Sequence, residues 1–521
     1  MKKIGKFIVL AILAGSCSGK VLEPVSEIVD VDGAVLHEMI VLGNKLEDPY
    51  SVENMTKALD ALYPTKAARA GAPLTDYYVR FLPADESQFE ALEKLGLNLI
   101  DHPVDYEILQ EGDYYHDPDI EEGKITWQYT VVDKDFKFPE GIRYEILDRC
   151  CLAENDSQTK ADGIDWAAVE MEAYRLTGNG ALVQPGTKAD KSIPSGRITI
   201  IDDKKDLTPE GVRGVKVSVN SFVKFDNAFT DENGYYQMRK SYSSKVRYRL
   251  VFKNKKGFAI GFNLLLVPAS VSTLGKSSPS GMDVTIDSDS ERKLFTRAVV
   301  NNAGYDYYEG CADKEVSIKT PPTNLRLWLF QKLGASSAPM LQHGAFIDNS
   351  IIGDYLGEYT LLLKLFLPDV TLGLKGLTAY DEVYASAVHE MAHASHFMQV
   401  GKDYWDKYIG FILKSFVTSG FVTYGAGTED NHGYCEVGEM WAYYMQTQMY
   451  RDRYGTDKVF GTSFWFHPEI FLTIDAKGID RYNIFNALTS DITDRDILQK
   501  KLVNLNPKNK SAINQAFGIY N

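Results

Sequence analysis

The chain has 521 residues, too many for one hydrophobic core, and the usual size of a domain divides it into roughly two to four. Its formal net charge of −15, with no block of Lys or Arg, excludes the basic footprint of a nucleic-acid binder. The acidic balance otherwise says only that the chain is soluble. At the N-terminus Lys2, Lys3 and Lys6 precede a short apolar run from Phe7 to Leu13, followed by Ala14-Gly15-Ser16-Cys17. That run is too short to span a membrane, which takes about 20 apolar residues, but it has the form of a secretory signal. No other apolar run approaches the spanning length.

The small residues leading into Cys17 resemble the lipobox of bacterial lipoproteins. The resemblance implies that residues 1–17 hold a signal cut before Cys17 and that Cys17 carries a lipid. The mature protein is then tethered to the membrane of a bacterial cell envelope, on the periplasmic or surface face of the outer membrane. Four cysteines follow: Cys150 and Cys151 are adjacent, while Cys311 and Cys435 stand far apart. Their spacing spells neither a disulfide framework nor a zinc knuckle. Cys435 reads as a buried small hydrophobe.

Residues 20–190 read as a small α+β domain. VENMTKALDAL (Val52 to Leu62) predicts a helix, TDYYVRFLP (Thr75 to Pro83) a strand, DESQFEALEKLG (Asp85 to Gly96) an amphipathic helix and LNLIDHPVDYEI (Leu97 to Ile108) a further strand. No chemical motif stands out in this part.

From 196 to 287 the texture changes to short alternating runs: RITIID, GVKVSVN, a turn at TDENGYY and then KVRYRLVF. Period-two alternation broken by turns predicts a small antiparallel β-sandwich. The order of these runs resembles the carboxypeptidase regulatory-like, transthyretin-like domain, which carries no active site. Asp202, Asp203 and Asp231 are acidic enough for a calcium site, but acidic turn residues are more often plain loop chemistry. The Ser/Pro/Gly stretch from Ser272 to Gly281 predicts a linker or loop.

The last block, 288–521, opens with a helix at ERKLFTRAVVNNAG and continues with predicted strands at NLRLWLFQ (Asn324 to Gln331) and PDVTL (Pro368 to Leu372). Between Thr378 and Gly401 the sequence TAYDEVYASAVHEMAHASHFMQVG predicts one long helix, with Thr378 and Asp381 as a capping pair and Gly401 as its C-terminal stop. Within it His389, Glu390 and His393 spell H-E-x-x-H. Residues four apart share a helix face, so His389 and His393 point two imidazoles at one metal ion with Glu390 beside them. Ala385, Val388, Met391, Ala392 and Phe397 make this a core helix, where buried polar groups need partners.

A catalytic zinc site takes three protein ligands, so a further His, Asp or Glu is required downstream. His396 shares the ligand face, but a rise of about 1.5 Å per residue puts it roughly 10 Å from His389, and it reads as a packing residue. The metzincin continuation H-E-x-x-H-x-x-G-x-x-H fails, because His396 stands in place of Gly and Gln399 in place of the last His. GYCEVGEMWAYYMQTQM (Gly433 to Met449) predicts a second helix, with Glu436 and Glu439 on one face and Trp441, Ala442 and Met445 to pack against the first.

H-E-x-x-H followed by such a glutamate helix resembles the gluzincin zinc peptidases. Their third ligand commonly sits in an E-x-x-A pattern followed by aromatics, which Glu439-Met440-Trp441-Ala442-Tyr443-Tyr444 matches and Glu436 does not. The resemblance therefore assigns Zn²⁺ to His389, His393 and Glu439, with Glu436 as the alternative ligand or as a partner orienting a histidine. The stretch from His393 to Glu439 is longer than in several well-known members. The resemblance also implies that Glu390 activates the attacking water and that an edge strand lies open to an extended substrate. Tyr424, His432, Tyr434 and Tyr443 are the candidates for stabilising the oxyanion. The expected architecture is multidomain α+β: a small N-terminal α+β domain, a transthyretin-like sandwich and a zincin-like, mostly α metallopeptidase domain. The expected activity is zinc-dependent hydrolysis of peptide bonds in extracytoplasmic peptides or proteins. A degenerate peptidase-like surface lipoprotein that binds protein or glycan without catalysis is the alternative.

Overall fold

Local sequence explains where the N-terminal elements begin. In the computed structural model Ser51, Asp85 and Asp165 each accept backbone N–H bonds from the first turn of a helix, which satisfies donors the helix leaves unpaired. Residues 27–29, 35–67, 71–121, 123–153, 163–183, 191–261, 267–312, 317–332, 334, 336–345, 369–418 and 424–520 are described. The predicted signal and Cys17 lie outside them.

The first part runs β1 (Glu27–Val29), β2 (Val35–Glu38), β3 (Val41–Lys45), α1 (Val52–Leu62), α2 (Pro64–Ala67), β4 (Asp76–Leu82), α3 (Glu86–Lys94), β5 (Tyr106–Gln110), β6 (Gln128–Asp133), β7 (Arg143–Cys150) and α4 (Trp166–Leu176). β4 is the centre of a three-stranded antiparallel sheet, between β6 and β7. The predicted strand from Leu97 to Ile108 is confined to Tyr106–Gln110; the segment before it contains Pro103, which cannot donate a ladder hydrogen bond.

The middle part supplies β8 (Ser195–Ile200), β9 (Glu210–Gly211), β10 (Val215–Ser221), β11 (Lys224–Phe229), β12 (Tyr235–Gln237), β13 (Val246–Asn254), β14 (Ala259–Ile260), β15 (Val271–Ser277) and β16 (Val284–Ile286). Along β10 the valines 215, 217 and 219 are fully buried and alternate with half-buried residues, the period of two that a sheet imposes. The stretch predicted as a linker at Ser272 to Gly281 mostly belongs to β15, paired antiparallel with β13. Its polar side chains lie half-buried, so composition suggested a loop where the backbone is in a ladder.

The C-terminal part is largely helical: α5 (Arg292–Gly310), α6 (Tyr380–Val400), α7 (Lys402–Thr418), α8 (His432–Tyr454), α9 (Glu469–Asp475), α10 (Arg481–Ala487), α11 (Arg495–Leu505) and α12 (Lys510–Gly518). Two short strands, β17 (Arg326–Phe330) and β18 (Val370–Gly373), extend the β-region's sheet in the order β11-β10-β13-β14-β17-β18, with β15 also on β13. β14, β17 and β18 run parallel to one another, and the rest of that sheet is antiparallel. Sheets and helices thus make an α+β chain of antiparallel and mixed sheets with a helical C-terminal region. One continuous core runs from Ile198 in β8, through Phe295 in α5 and Val388 in α6, to Phe517 in α12. Among the described residues, no helix is long and apolar enough to cross a membrane.

The outer edge of β18 is not open at Thr371. Thr371 and Ser337 exchange two backbone hydrogen bonds of 2.7 and 2.9 Å, and Ser336 Oγ accepts from the N–H of Gly373 at 3.1 Å. The edge expected to receive an extended substrate is occupied there by the chain itself.

Candidate metal centre

α6 is buried almost around its whole circumference from Tyr380 to Phe397, as a helix with apolar residues on every face must be. Its N-terminus is closed by Glu382, whose carboxylate accepts from the backbone N–H groups of Thr378 (2.9 Å) and Ala379 (3.2 Å). The expected capping pair of Thr378 and Asp381 does not form. Asp381 is drawn inward instead, where it accepts a 2.6 Å hydrogen bond from Tyr450 in α8. Gly401 ends the helix at φ +82°, a backbone conformation that favours glycine.

α8 lies across α6. Trp441 Nε1 donates to the carbonyl of Ala392 at 3.2 Å, and Trp441, Ala442 and Met445 are buried as their spacing predicts. The far ends of both helices are held by an ionic cluster that reaches the β-region. Arg453 of α8 sits 2.7 Å from Asp202 and 3.6 Å from Asp306, and it also bonds Glu210. Tyr380 and Tyr384 of α6 donate to Glu210 (2.8 Å) and Asp306 (3.1 Å). Asp202 is thereby engaged by Arg453 and Tyr454, and Asp231 accepts from the N–H groups of Asn233 and Tyr235 within its own turn. Neither is a calcium ligand in this arrangement.

Where the two helices cross, His389, His393 and Glu439 converge as a buried group able to hold a metal ion, with one ligand atom from each within 4.8 Å of the others. The Nε2 atoms of the two histidines are 3.1 Å apart; Glu439 Oε2 is 3.4 Å from His389 Nε2, and Glu439 Oε1 is 3.5 Å from His393 Nε2. Glu439 is 1% exposed. Burial works against its charge, yet His393 and His389 beside it hold the carboxyl well below the usual carboxylate range. His389 is raised: burial opposes its charge, but the bond to Glu439 and the charges of Glu390 and Glu439 outweigh it. Burial lowers His393.

Glu390 is buried next to this group, and its Oε2 has no hydrogen-bond partner among the described residues. Burial first, and the charge of Glu439 besides, push its carboxyl up to about 8. Oε2 of Glu439 and Nδ1 of His393 are likewise buried without a hydrogen-bond partner among the described residues. Orphaned polar atoms are rare in folded proteins, and a cluster of them around convergent ligand atoms is what an ion would satisfy.

Glu436 faces elsewhere. It lies 3.3 Å from Arg495 Nε and accepts from the Arg495 backbone N–H, so it neither joins the group nor orients a histidine. That orienting role falls to Gln446, whose Oε1 lies 3.1 Å from His389 Nδ1. Tyr408 of α7 donates a 2.7 Å hydrogen bond to Glu439 Oε1 and lies 3.4 Å from His393 Nε2. The sequence reading missed both. Gln446 carried a signal, being seven residues and two helical turns from Glu439 on the same face; Tyr408, on a separate helix, carried none.

Of the four oxyanion candidates only Tyr443 stacks on a ligand, its ring centroid 4.4 Å from that of His389. Tyr424 packs on Phe464 and Phe466, His432 lies 2.8 Å from the carbonyl of Glu429, and Tyr434 accepts from Lys407. His396 lies against the rings of Tyr404 and Trp405, where burial lowers it to about 3, as a packing residue. Cys435 is a buried free thiol, as are Cys150, Cys151 and Cys311. No family model matches the chain, and neither a curated protein nor a solved structure matches it.

Proposed function

We propose that the chain is a zinc metallopeptidase of gluzincin type that hydrolyses peptide bonds in extracytoplasmic peptides or proteins. The observation that carries this reading is the His389, His393 and Glu439 convergence, with Glu390 buried beside it. Zinc bonds imidazole nitrogen and carboxylate oxygen at about 2.0–2.2 Å, and in a tetrahedron such ligand atoms stand about 3.3 Å apart. The three separations here, 3.1, 3.4 and 3.5 Å, fit that edge. Two imidazoles and one carboxylate are also the donor set of catalytic sites that leave a position open.

When bound, zinc lowers the pKa of water from about 15.7 to about 7 and polarises a peptide carbonyl. Gln446 fixes the tautomer of His389: with Nδ1–H donated to Oε1 of Gln446, the Nε2 lone pair faces the site. Tyr408 holds Oε1 of Glu439 in place. Glu390 takes the proton of the attacking water on its unpartnered carboxylate and passes it to the leaving amine nitrogen. Such general acid–base work contributes about 10² to 10⁴-fold. The reading extends to the whole chain: Cys17 as a lipid anchor in a bacterial envelope, residues 196–287 as a transthyretin-like sandwich and 288–521 as a zincin-like domain.

The test uses zinc-loaded protein and an unfolded protein substrate, with products read by mass spectrometry. Wild type cleaves, and Glu390→Gln retains zinc while losing about 10² to 10⁴-fold in rate. Cleavage by Glu390→Gln at the wild-type rate contradicts the role of Glu390. Zinc binding without any turnover in the wild type returns the chain to the non-catalytic binding lipoprotein.

A further inference from the structure

The N-terminal part carries a polar cleft of about 360 Å³ that the metal centre does not use. Its volume lies at the lower end of the range for small-ligand sites, about 300–1,000 Å³. The cleft is framed by the end of β3, the start of α1 and residues of β4, β6 and β7. Five carboxyl groups line it, those of Glu47, Asp48, Glu53, Asp105 and Asp148, against the two cations Lys45 and Arg80. Arg80 is committed elsewhere, 2.7 Å from Glu145. The cleft therefore has an excess of acid.

Asp48 shows that this excess is built in. It is 8% exposed, its Oδ1 accepts from the Tyr50 backbone N–H at 2.9 Å, and its Oδ2 is buried with no hydrogen-bond partner among the described residues. Burial, with the charges of Asp105 and Asp148 nearby, pushes its carboxyl up to about 8. A cation in the cleft is the missing partner.

The kind of cation follows from geometry. A calcium ion takes about 6–8 oxygens at about 2.3–2.6 Å. Among the described residues only His389, His393 and Glu439 bring three ligand atoms together, so the carboxylates here are too dispersed for a metal. An ammonium on a carbon stem needs less convergence, and Tyr78 and Tyr129 offer ring surface in the lining. The chain already places one such group there: the Nζ of Lys45, a side chain 66% exposed, lies 3.4 Å from Asp105 Oδ2.

We propose that this cleft binds the primary ammonium of an amine ligand, a lysine side chain or a free amino terminus, which displaces Lys45 from Asp105 and partners Asp48. The site is independent of the metal centre and of the reaction proposed for it.

Full-length protein is titrated calorimetrically with Nα-acetyl-lysine amide, with leucine amide and with Nα-acetyl-norleucine amide, which has no ammonium. Saturable binding of either ammonium carrier is expected, and the one that binds tells a side chain from a chain terminus. Asp48→Asn and Asp148→Asn each weaken it by about tenfold, and Lys45→Met tightens it by removing the competitor. Absence of saturable binding by both carriers overturns the proposal, as does equal binding of the norleucine amide. Calcium binding that Asp48→Asn abolishes overturns it too. Should Asp48→Asn not fold, unchanged affinity in both Asp148→Asn and Lys45→Met overturns it.

Discussion

Gln446 does for His389 what no nearby charge could do without altering the site: a neutral acceptor 3.1 Å from Nδ1 fixes the ring's orientation and leaves Nε2 toward Glu439. Partners of this kind commonly govern metal affinity by about 10- to 100-fold. Gln446→Leu keeps the volume and removes the acceptor, so zinc affinity, read by chelator competition, should fall within that range while the fold is retained. Unchanged affinity would show that the packing of α6 alone holds the imidazole. The legibility of the site follows the same line. His389, Glu390 and His393 were readable because one helix fixes their relative placement by spacing alone. Glu439 needed a family pattern to separate it from Glu436, three residues away. Tyr408 was not readable at all, because its bond to Glu439 depends on how α7 sets against α8, which no local pattern encodes.

At the scale of elements, α8 matters as much as α6, since it brings Glu439 and Gln446 to the histidines and Tyr450 to Asp381. Its first turn is fixed by a close approach: a Cβ at Gly433 would run into the carbonyl oxygen of Thr493 and the backbone of Asp494. Backbone cannot yield as a flexible side chain can. Gly433→Ala should therefore cost about 1–3 kcal/mol of stability, measured by denaturant unfolding. A stability equal to wild type would mean that the turn before α11 gives way freely. Most elements were legible, because α1, β4, α3, β10, β13 and α6 each carry a clean period or a side-chain cap. The failures share a cause. The predicted strand at Leu97 and the predicted linker at Ser272 were judged on composition, whereas pairing with a neighbouring strand decided both.

The whole molecule is held together by buried ionic clusters between its parts. Arg453 ties the C-terminal helices to the β-region, and Glu170 of α4 ties the N-terminal part to it. Glu170 lies 3.0 Å from Lys191 and 3.6 Å from Lys224, and accepts from Tyr50 and Ser243. Burial acts to raise its carboxyl, but the two lysines and these bonds hold it at about 2, against an ordinary 4.5. A depressed carboxyl contributes stability that is fully present above pH 4.5 and is lost as pH falls from there through about 2. Glu170→Gln should cost about 3–5 kcal/mol at pH 7, the usual cost of breaking a buried pair, and the deficit should narrow at pH 3. A deficit equal at the two pH values would contradict it. This long-range organisation was the least legible part. The sheet running from β11 to β18 joins segments that the sequence reading placed in separate domains, because strand partners distant in the chain leave no mark in local periodicity.

The central claim is that His389, His393 and Glu439, and not Glu436, form one metal site. Its most direct test is metal content per chain, measured by mass spectrometry after dialysis against buffered zinc. The wild type and Glu436→Gln should each hold about one zinc, and Glu439→Gln should lose it. Zinc retained by Glu439→Gln at the wild-type level, or absent from the wild type, would contradict it.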